Sequence, residues 1–405
     1  MISGHTGRWP GDGAVPEGRR KGPLGLALRE QGEDEDVYEM NKEFDKLPRW
    51  KPMPFSKVAQ RINHGIRTLK SQEYRQSGKY PIVDQGQKLV IGYADDEKSV
   101  FTGPFPVIVF GDHTKIVKYI DFPFSIGADG VVILSVKAGI DPKFLYYLLL
   151  HTDIKDLGYS RHYSILKKVS FSIPPLAEQK RIAAILNEQM AAVERARKAA
   201  QERLKAAIML PFSLIRNSIA HGGTRCLTLD DCLVEVKNGV GTDWQRYRLV
   251  GATREGIAPA KEGVGKNPER YKLVDPVTVF YNPMRILLGS IAMVDENNET
   301  GITSPDYVVV KGKEGILDTR WFYYWFRSSY GAHLIDSLTR GAVRERVLFN
   351  RLCKGKIVLP NFHTQKVASE KMKEAQKIAE AISQEIMMID ALPSALIRRA
   401  FNGEI

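Results

Sequence analysis

Apolar residues along this chain follow two periods. Short β-branched runs, Val107–Phe110, Val131–Leu134, Val277–Phe280 and Val308–Val310, are bounded by Gly, Asp or Pro and read as buried strands. Elsewhere the spacing is three and four, as in Ile182, Leu186, Val193, Ala196, Ala200, Leu204 and Ala207, a stripe interrupted by Gln189. The same spacing returns in Met372, Ala375, Ala379, Ile382, Ile386 and Ile389. Glu, Lys, Arg and Gln fill the other faces, so each stretch predicts a long amphipathic helix. The first starts after Pro174 and Pro175, with Glu178 in its first turn, where the positive helix end favours an acid; it is expected to run to about Leu210. The second is expected from near Asn361 to about Leu392. Stripes this narrow read as a coiled-coil seam, with a helix lying on its own domain as the alternative. Length favours the seam: roughly thirty residues at ~1.5 Å each make a rod of about 45 Å, more than a domain of ~120 residues needs to cover itself. The pair is expected to run antiparallel.

Five blocks recur in order. Pro-Val-Ile-Val-Phe-Gly-Asp-His-Thr-Lys, ending at Lys115, is matched by Pro-Val-Thr-Val-Phe-Tyr-Asn-Pro-Met-Arg, ending at Arg285, an offset of 170. Asp129-Gly-Val-Val and Asp141-Pro-Lys-Phe-Leu-Tyr-Tyr match Asp306-Tyr-Val-Val and Asp318-Thr-Arg-Trp-Phe-Tyr-Tyr, both at 177. Ile173-Pro and Leu359-Pro, each followed by a Gln-Lys pair, lie 186 apart, and Leu210-Pro and Leu392-Pro lie 182 apart. The chain is a tandem duplication. Asp141 followed by Pro142 is an N-cap and first-turn pair, and the aromatic stretches Phe144–Tyr147 and Trp321–Phe326 are expected to be core.

The predicted class is α+β: two tandem mixed α/β domains separated by two long antiparallel coiled-coil helices. The expected division is a disordered extension over 1–45, a first strand-rich domain over 46–173 and the first long helix over 174–220. A second strand-rich domain over 221–359 and the second helix with a C-terminal segment over 360–405 complete it. Residues up to about Glu39 are rich in Gly, Pro and charge, too poor in apolar groups to offset the entropy of ordering.

A net charge of +12 points toward phosphate, since cations that displace counterions supply most non-specific affinity for DNA. Phe55 to Ile173 holds 16 basic and 11 acidic residues, and Thr224 to Leu359 holds 20 and 16, so the excess lies in both halves. No apolar run approaches the ~20 residues of a membrane span. Cys226, Cys232 and Cys353 form no CxxC pair, so neither a zinc site nor a disulfide framework is expected. A cytoplasmic protein is expected.

Catalytic motifs are missing. Asn282-Pro283-Met284-Arg285 lacks the second proline and the aromatic of a base-methylating strip, and reads as a strand-end turn. Gly263-Val-Gly265-Lys266-Asn267 lacks the spacing and hydroxyl of a phosphate loop. The eight histidines form no HExxH. No catalytic residue and no metal ligand is assigned.

The candidate DNA-contacting residues lie in two places in each half. Asp112, His113 and Lys115 follow one Val-x-Val-Phe strand, and Asn282 and Arg285 follow the other; they suit base edges or phosphates, with a structural turn as the alternative. Arg161, Lys167 and Lys168, then Arg340, Arg344 and Arg346, precede the long helices and suit the DNA backbone, with a solvated loop as the alternative. Trp244, Gln245, Arg246 and Arg248 are weaker candidates. The proposed seam is Ile182, Leu186, Val193, Ala200 and Leu204 against Ala375, Ala379, Ile382, Ile386 and Ile389. Successive exposures of one duplex face lie about 34 Å apart, so readers spaced by such rods are expected to read two short tracts and skip those between.

Ile173 to Leu186 (IPPLAEQKRIAAIL) resembles the conserved region of the specificity subunits of type I restriction-modification systems, and Leu392 to Ile405 resembles their usual end. Val83 to Gln87 (VDQGQ), Val109 to Phe124, the YNPMR segment and Ser304 to Val310 are similar to stretches of their target-recognition domains. The second copy departs at Asn361-Phe-His-Thr, where the first has Pro175-Leu-Ala-Glu. The resemblance implies two target-recognition domains, a two-part target in double-stranded DNA, and no cofactor on this chain. It also implies two modification (methyltransferase) subunits carrying S-adenosylmethionine and ATP-dependent restriction subunits using Mg. Against this stand a coiled-coil scaffold that never touches DNA, and a stand-alone enzyme.

Overall fold

The computed structural model describes residues 50–127, 130–154, 161–260, 263–296, 298–339 and 346–405. The expected disordered extension, and Arg340 and Arg344, lie outside the described residues. Two compact units emerge, one formed by Met1–Glu194 with Ala391–Ile405, the other by Arg195–Asp390. The division falls inside both long helices.

Among the described residues, ten strands lie in the first unit: β1 (Lys51–Pro54), β2 (Ala59–Arg61), β3 (Tyr80–Val83), β4 (Gly92–Ala94), β5 (Val100–Phe101), β6 (Val107–Gly111), β7 (Val117–Ile120), β8 (Phe124–Ile126), β9 (Val131–Val136) and β10 (Ser170–Ile173). They form sheets ordered β2-β9-β6-β7 and β4-β3-β8-β5 and the pair β1-β10. The second unit has β11 (Arg225–Thr228), β12 (Leu233–Glu235), β13 (Arg248–Ala252), β14 (Ile257–Pro259), β15 (Lys272–Val274), β16 (Thr278–Tyr281), β17 (Ile291–Val294), β18 (Gly301–Thr303), β19 (Val308–Gly312) and β20 (Lys356–Leu359). Their orders, β12-β19-β16-β17, β14-β13-β18-β15 and β11-β20, reproduce the first set strand for strand. The duplicated sequence is a duplicated topology. All four β-branched runs are the central strands β6, β9, β16 and β19 of the larger sheets; β6 and β16 are buried along their whole length.

Helix α1 (Pro142–His151) follows the first sheets, and α3 (Thr319–Arg327) with α4 (Ser329–Thr339) the second. Asp141 caps α1 by accepting the Phe144 N–H at 2.9 Å, and Asp318 caps α3 by accepting that of Trp321 at 2.9 Å. Phe144, Trp321, Phe322 and Phe326 are fully buried, as the apolar stretches required.

The two long helices are α2 (Leu176–His221) and α5 (Phe362–Phe401). Both outrun the expected ends at Leu210 and Leu392, carrying Pro211 and Pro393 inside them. A proline within a helix costs about 3 kcal/mol through its missing N–H and its clash with the preceding turn. Past Pro211, Ile215 is buried in the second unit's core, and past Pro393, Ile397 and Phe401 are buried in the first's. Burying side chains of that size returns roughly 1.5–3 kcal/mol each, so packing carries the helices through.

The helices meet in antiparallel register within each unit. In the first, Ile182, Ala183 and Leu186 share a core with Ile397, Ala400 and Phe401, and Arg181 donates to the Ile405 carbonyl at 2.8 Å. In the second, ion pairs join Arg197 to Asp390 at 2.9 Å and Arg203 to Glu385 at 3.2 Å, and the Asn361 N–H donates to the Gly222 carbonyl at 3.0 Å. Of the expected seam, Ile182, Leu186, Ala200, Ala375, Ile382 and Ile389 are buried, while Val193, Leu204, Ala379 and Ile386 are half-buried. Ala196, on the same stripe, is exposed.

One duplicated side chain anchors each sheet-bearing region to its helix. Gln179 accepts the Asp141 N–H at 2.8 Å and donates to the carbonyls of Gly139 (3.2 Å) and Pro174 (2.9 Å). Gln365 accepts from Asp318 at 2.9 Å and donates to Ile316 (3.0 Å) and Pro360 (2.9 Å).

Candidate nucleic-acid interface

In both units the strand-end turn lies against described residues of the pre-helix segment. In the first, Asp112 is buried, its carboxylate accepts the Tyr163 N–H at 2.8 Å and its carbonyl accepts the His162 N–H at 2.8 Å. In the second, the Val347 N–H donates to the Pro283 carbonyl at 3.1 Å, and the Tyr281 hydroxyl donates to the Val347 carbonyl at 3.0 Å. The first turn thus holds His162 and Tyr163 beside the exposed Arg161, and the second holds Val347 beside the exposed Arg346.

The candidates separate by what surrounds them. Asp112 is engaged in holding that segment. Asn282 is half-buried and its side-chain oxygen accepts the Met284 N–H at 3.0 Å, so both residues shape turns, the alternative left open for them. Lys115 is half-buried, takes φ of 61°, and donates to the Ile154 carbonyl at 3.2 Å. His113 is half-buried, and its N–H donates to Gln85 at 3.2 Å. Arg161, Lys167 and Lys168 are exposed, as are Arg285 and Arg346. Lys167 stands 5.5 Å from the Tyr163 ring centre and Arg61 stands 6.0 Å from it, gathering cations about one aromatic. Burial pushes the Tyr163 hydroxyl above its ordinary value. Trp244 packs against the small cluster of Val240, Tyr271 and Ile302, while Arg246 and Arg248 are exposed.

The VDQGQ segment joins the first turn. Thr114 donates to the Gln85 carbonyl at 2.6 Å. The buried Lys118 ammonium donates to the carbonyls of Asp84 (2.7 Å) and Lys88 (2.6 Å). Burial lowers the Lys118 pKa, and the nearby Asp84 carboxylate opposes that shift. This clamp fixes the loop while Gln87 and Lys88 stay exposed. Arg61, Gln87 and Lys88 were not among the sequence-derived candidates. Gln87 was within reach as part of the VDQGQ resemblance, but Arg61 lies on a three-residue strand with no local signal.

Chemically, these surfaces offer cations, amides and an aromatic face, suited to phosphates and base edges. Among the described residues, no cluster of His, Cys, Asp and Glu is placed to hold a metal, and no helix is long and apolar enough to cross a membrane.

Residues 49–203 match the family of type I restriction modification DNA specificity domains. No curated protein matches the chain. Among solved structures, a chain of a type I R-M system, studied for its complex assembly and conformational transition, is 14% identical. The match covers 88% of this chain and 99% of that one, with a TM-score of 0.59. The type I restriction-modification S subunit from M. genitalium is 15% identical over 87% of this chain and 96% of its own, at a TM-score of 0.49. The HsdS subunit from Thermoanaerobacter tengcongensis is 15% identical over 89% and 98%, at 0.48. The matched type I restriction modification DNA specificity domain thus spans the first strand-rich region and the start of α2, and the same strand order is repeated after it.

Proposed function

We propose that this chain reads duplex DNA with both of its strand-rich regions, recognises a target in two parts, and directs partner subunits of a restriction-modification complex to it in the cytoplasm. The observation that carries this reading is the duplicated juxtaposition of a strand-end turn with a basic pre-helix segment. A scaffold that never touched DNA would have no need to set an exposed cation beside a strand-end turn twice, at Arg161 and at Arg346. In this proposal the chain itself performs no catalysis. Two modification subunits supply S-adenosylmethionine chemistry, and restriction subunits supply ATP- and Mg-dependent cleavage. These cofactors are assigned to the partners by the resemblance to type I specificity subunits, which implies none on this chain.

Exposed cations that touch phosphates are recognised by their salt dependence. Replacing Arg344 and Arg346 by Ala is expected to weaken binding to all duplexes and to reduce the slope of log affinity against log salt by about 1 for each phosphate left without its cation. Filter binding of the full chain at a series of salt concentrations measures this. An unchanged slope would remove the two arginines from the interface, and no binding by the wild-type chain at any salt would favour the scaffold.

A further inference from the structure

The two β-hairpins that carry the strand-end turns differ in one respect. Between β6 and β7 the loop has five residues, 112–116; between β16 and β17 it has nine, 282–290. Those four extra residues account for much of the drift in offset from 170 to 177 between the two copies. The longer loop presents apolar side chains to solvent: Met284 is 51% exposed, Leu287 47% and Leu288 72%.

Large apolar side chains at a loop tip are costly unless something covers them, and this tip is held rigidly in place. Ile286 is buried in the second unit's core beside Ile291. Asn282 and Met284 close a turn at one end, and at the other Gly289 takes φ of 80°, with the Ser290 hydroxyl donating to the Ala252 carbonyl at 2.6 Å. The surroundings are cationic. Arg285 lies in the loop, Arg346 approaches the Met284 sulfur at 3.3 Å, and Arg254 lies beside Gly289, where an added Cβ would meet its Cγ at 3.4 Å. All three arginines are exposed, and among the described residues none is in an ion pair.

An apolar tip ringed by arginines is complementary to a polyanion with an apolar interior, which is a base-paired duplex. A protein surface that covered the leucines would have to bring acids for each arginine as well. Proteins that insert Leu, Ile, Met or Phe between base pairs unstack one step and kink the helix, while flanking cations hold the phosphates. We infer that Leu287 and Leu288 form a wedge that enters a base step of the half-target read by the second unit. The corresponding turn of the first unit, 112–116, is shorter and carries Asp112, His113, Thr114 and Lys115 in place of the exposed leucines. This inference rests on the DNA-reading function proposed above and adds a mode of recognition to it.

The test uses the full chain assembled with its partners, and duplexes carrying the target recovered by selection from a random-sequence pool. 2-Aminopurine replaces one adenine at a time and reports unstacking. Wild type is expected to raise fluorescence at a single step. The Leu287→Ser, Leu288→Ser double variant should lose that signal and bind the target roughly tenfold more weakly. Its affinity for random duplex and its salt slope should stay unchanged. Arg285→Ala should do the reverse, lowering the salt slope while keeping the fluorescence rise. Because both leucines are exposed, the serine variant is expected to melt with wild type. A double variant that keeps wild-type affinity and signal overturns the wedge and leaves the DNA reading standing, as does loss of partner assembly without any change on DNA. A wild-type chain that binds no duplex overturns both.

Discussion

Replacing Gln365 by Leu is expected to destabilise the second unit by about 2–4 kcal/mol, because it strands a half-buried donor and two acceptors, one of them buried, at once. The amide is fully buried and satisfies the Asp318 N–H and the Ile316 and Pro360 carbonyls. Leucine fills the space and pairs with none of them. Gln179→Leu is expected to do the same to the first unit, through Asp141, Gly139 and Pro174. Hydrogen exchange makes the test local: the Asp318 amide should lose protection in the first variant while the Asp141 amide keeps it, and the converse in the second. A cost below about 1 kcal/mol by urea denaturation would mean the three bonds are not made in solution.

Arg320→Ala is expected to be comparably damaging, at about 3–5 kcal/mol, since it leaves an uncompensated carboxylate inside the second unit. Arg320 is 4% exposed, pairs with Asp295 and lies 3.3 Å from Glu296, which in turn pairs with Lys373 of α5. The network is a second attachment between sheet and long helix. At the equivalent place in the first unit, Lys143 lies 3.6 Å from the Tyr119 ring centre, and burial lowers its pKa against the pull of Asp121 and Asp141. A double variant, Arg320→Met with Asp295→Asn, removes both charges together and should recover most of the loss in a thermal or urea melt. If it melts as low as Arg320→Ala, packing and not charge explains the damage.

Much of this architecture could be read before any coordinates. The β-branched runs became central strands because only a twice-covered strand uses an unbroken apolar run. Six of the expected seam residues are buried, and Ile182 and Leu186 pack against Ile397, Ala400 and Phe401, beyond the stretch the stripe had suggested. Where the reading stopped short, long-range packing was deciding. Leu-Pro looked like two helix ends, since the cores that bury Ile215 and Phe401 come from distant sequence. The three-residue strands β2, β4 and β8 leave too short a pattern to show a period. Among the candidate DNA-binding residues, residue type alone did not separate Asp112 from Lys167. One carboxylate is buried holding a backbone amide, the other side chain is exposed, and only the fold distinguishes them.

The account depends on one chain carrying two readers. Selection from a random-sequence duplex pool with the full chain and its partners tests it most directly. Two short fixed tracts, separated by unselected bases of constant number, are the predicted result. A single unbroken tract, unaffected by loss of either strand-rich region, would contradict it.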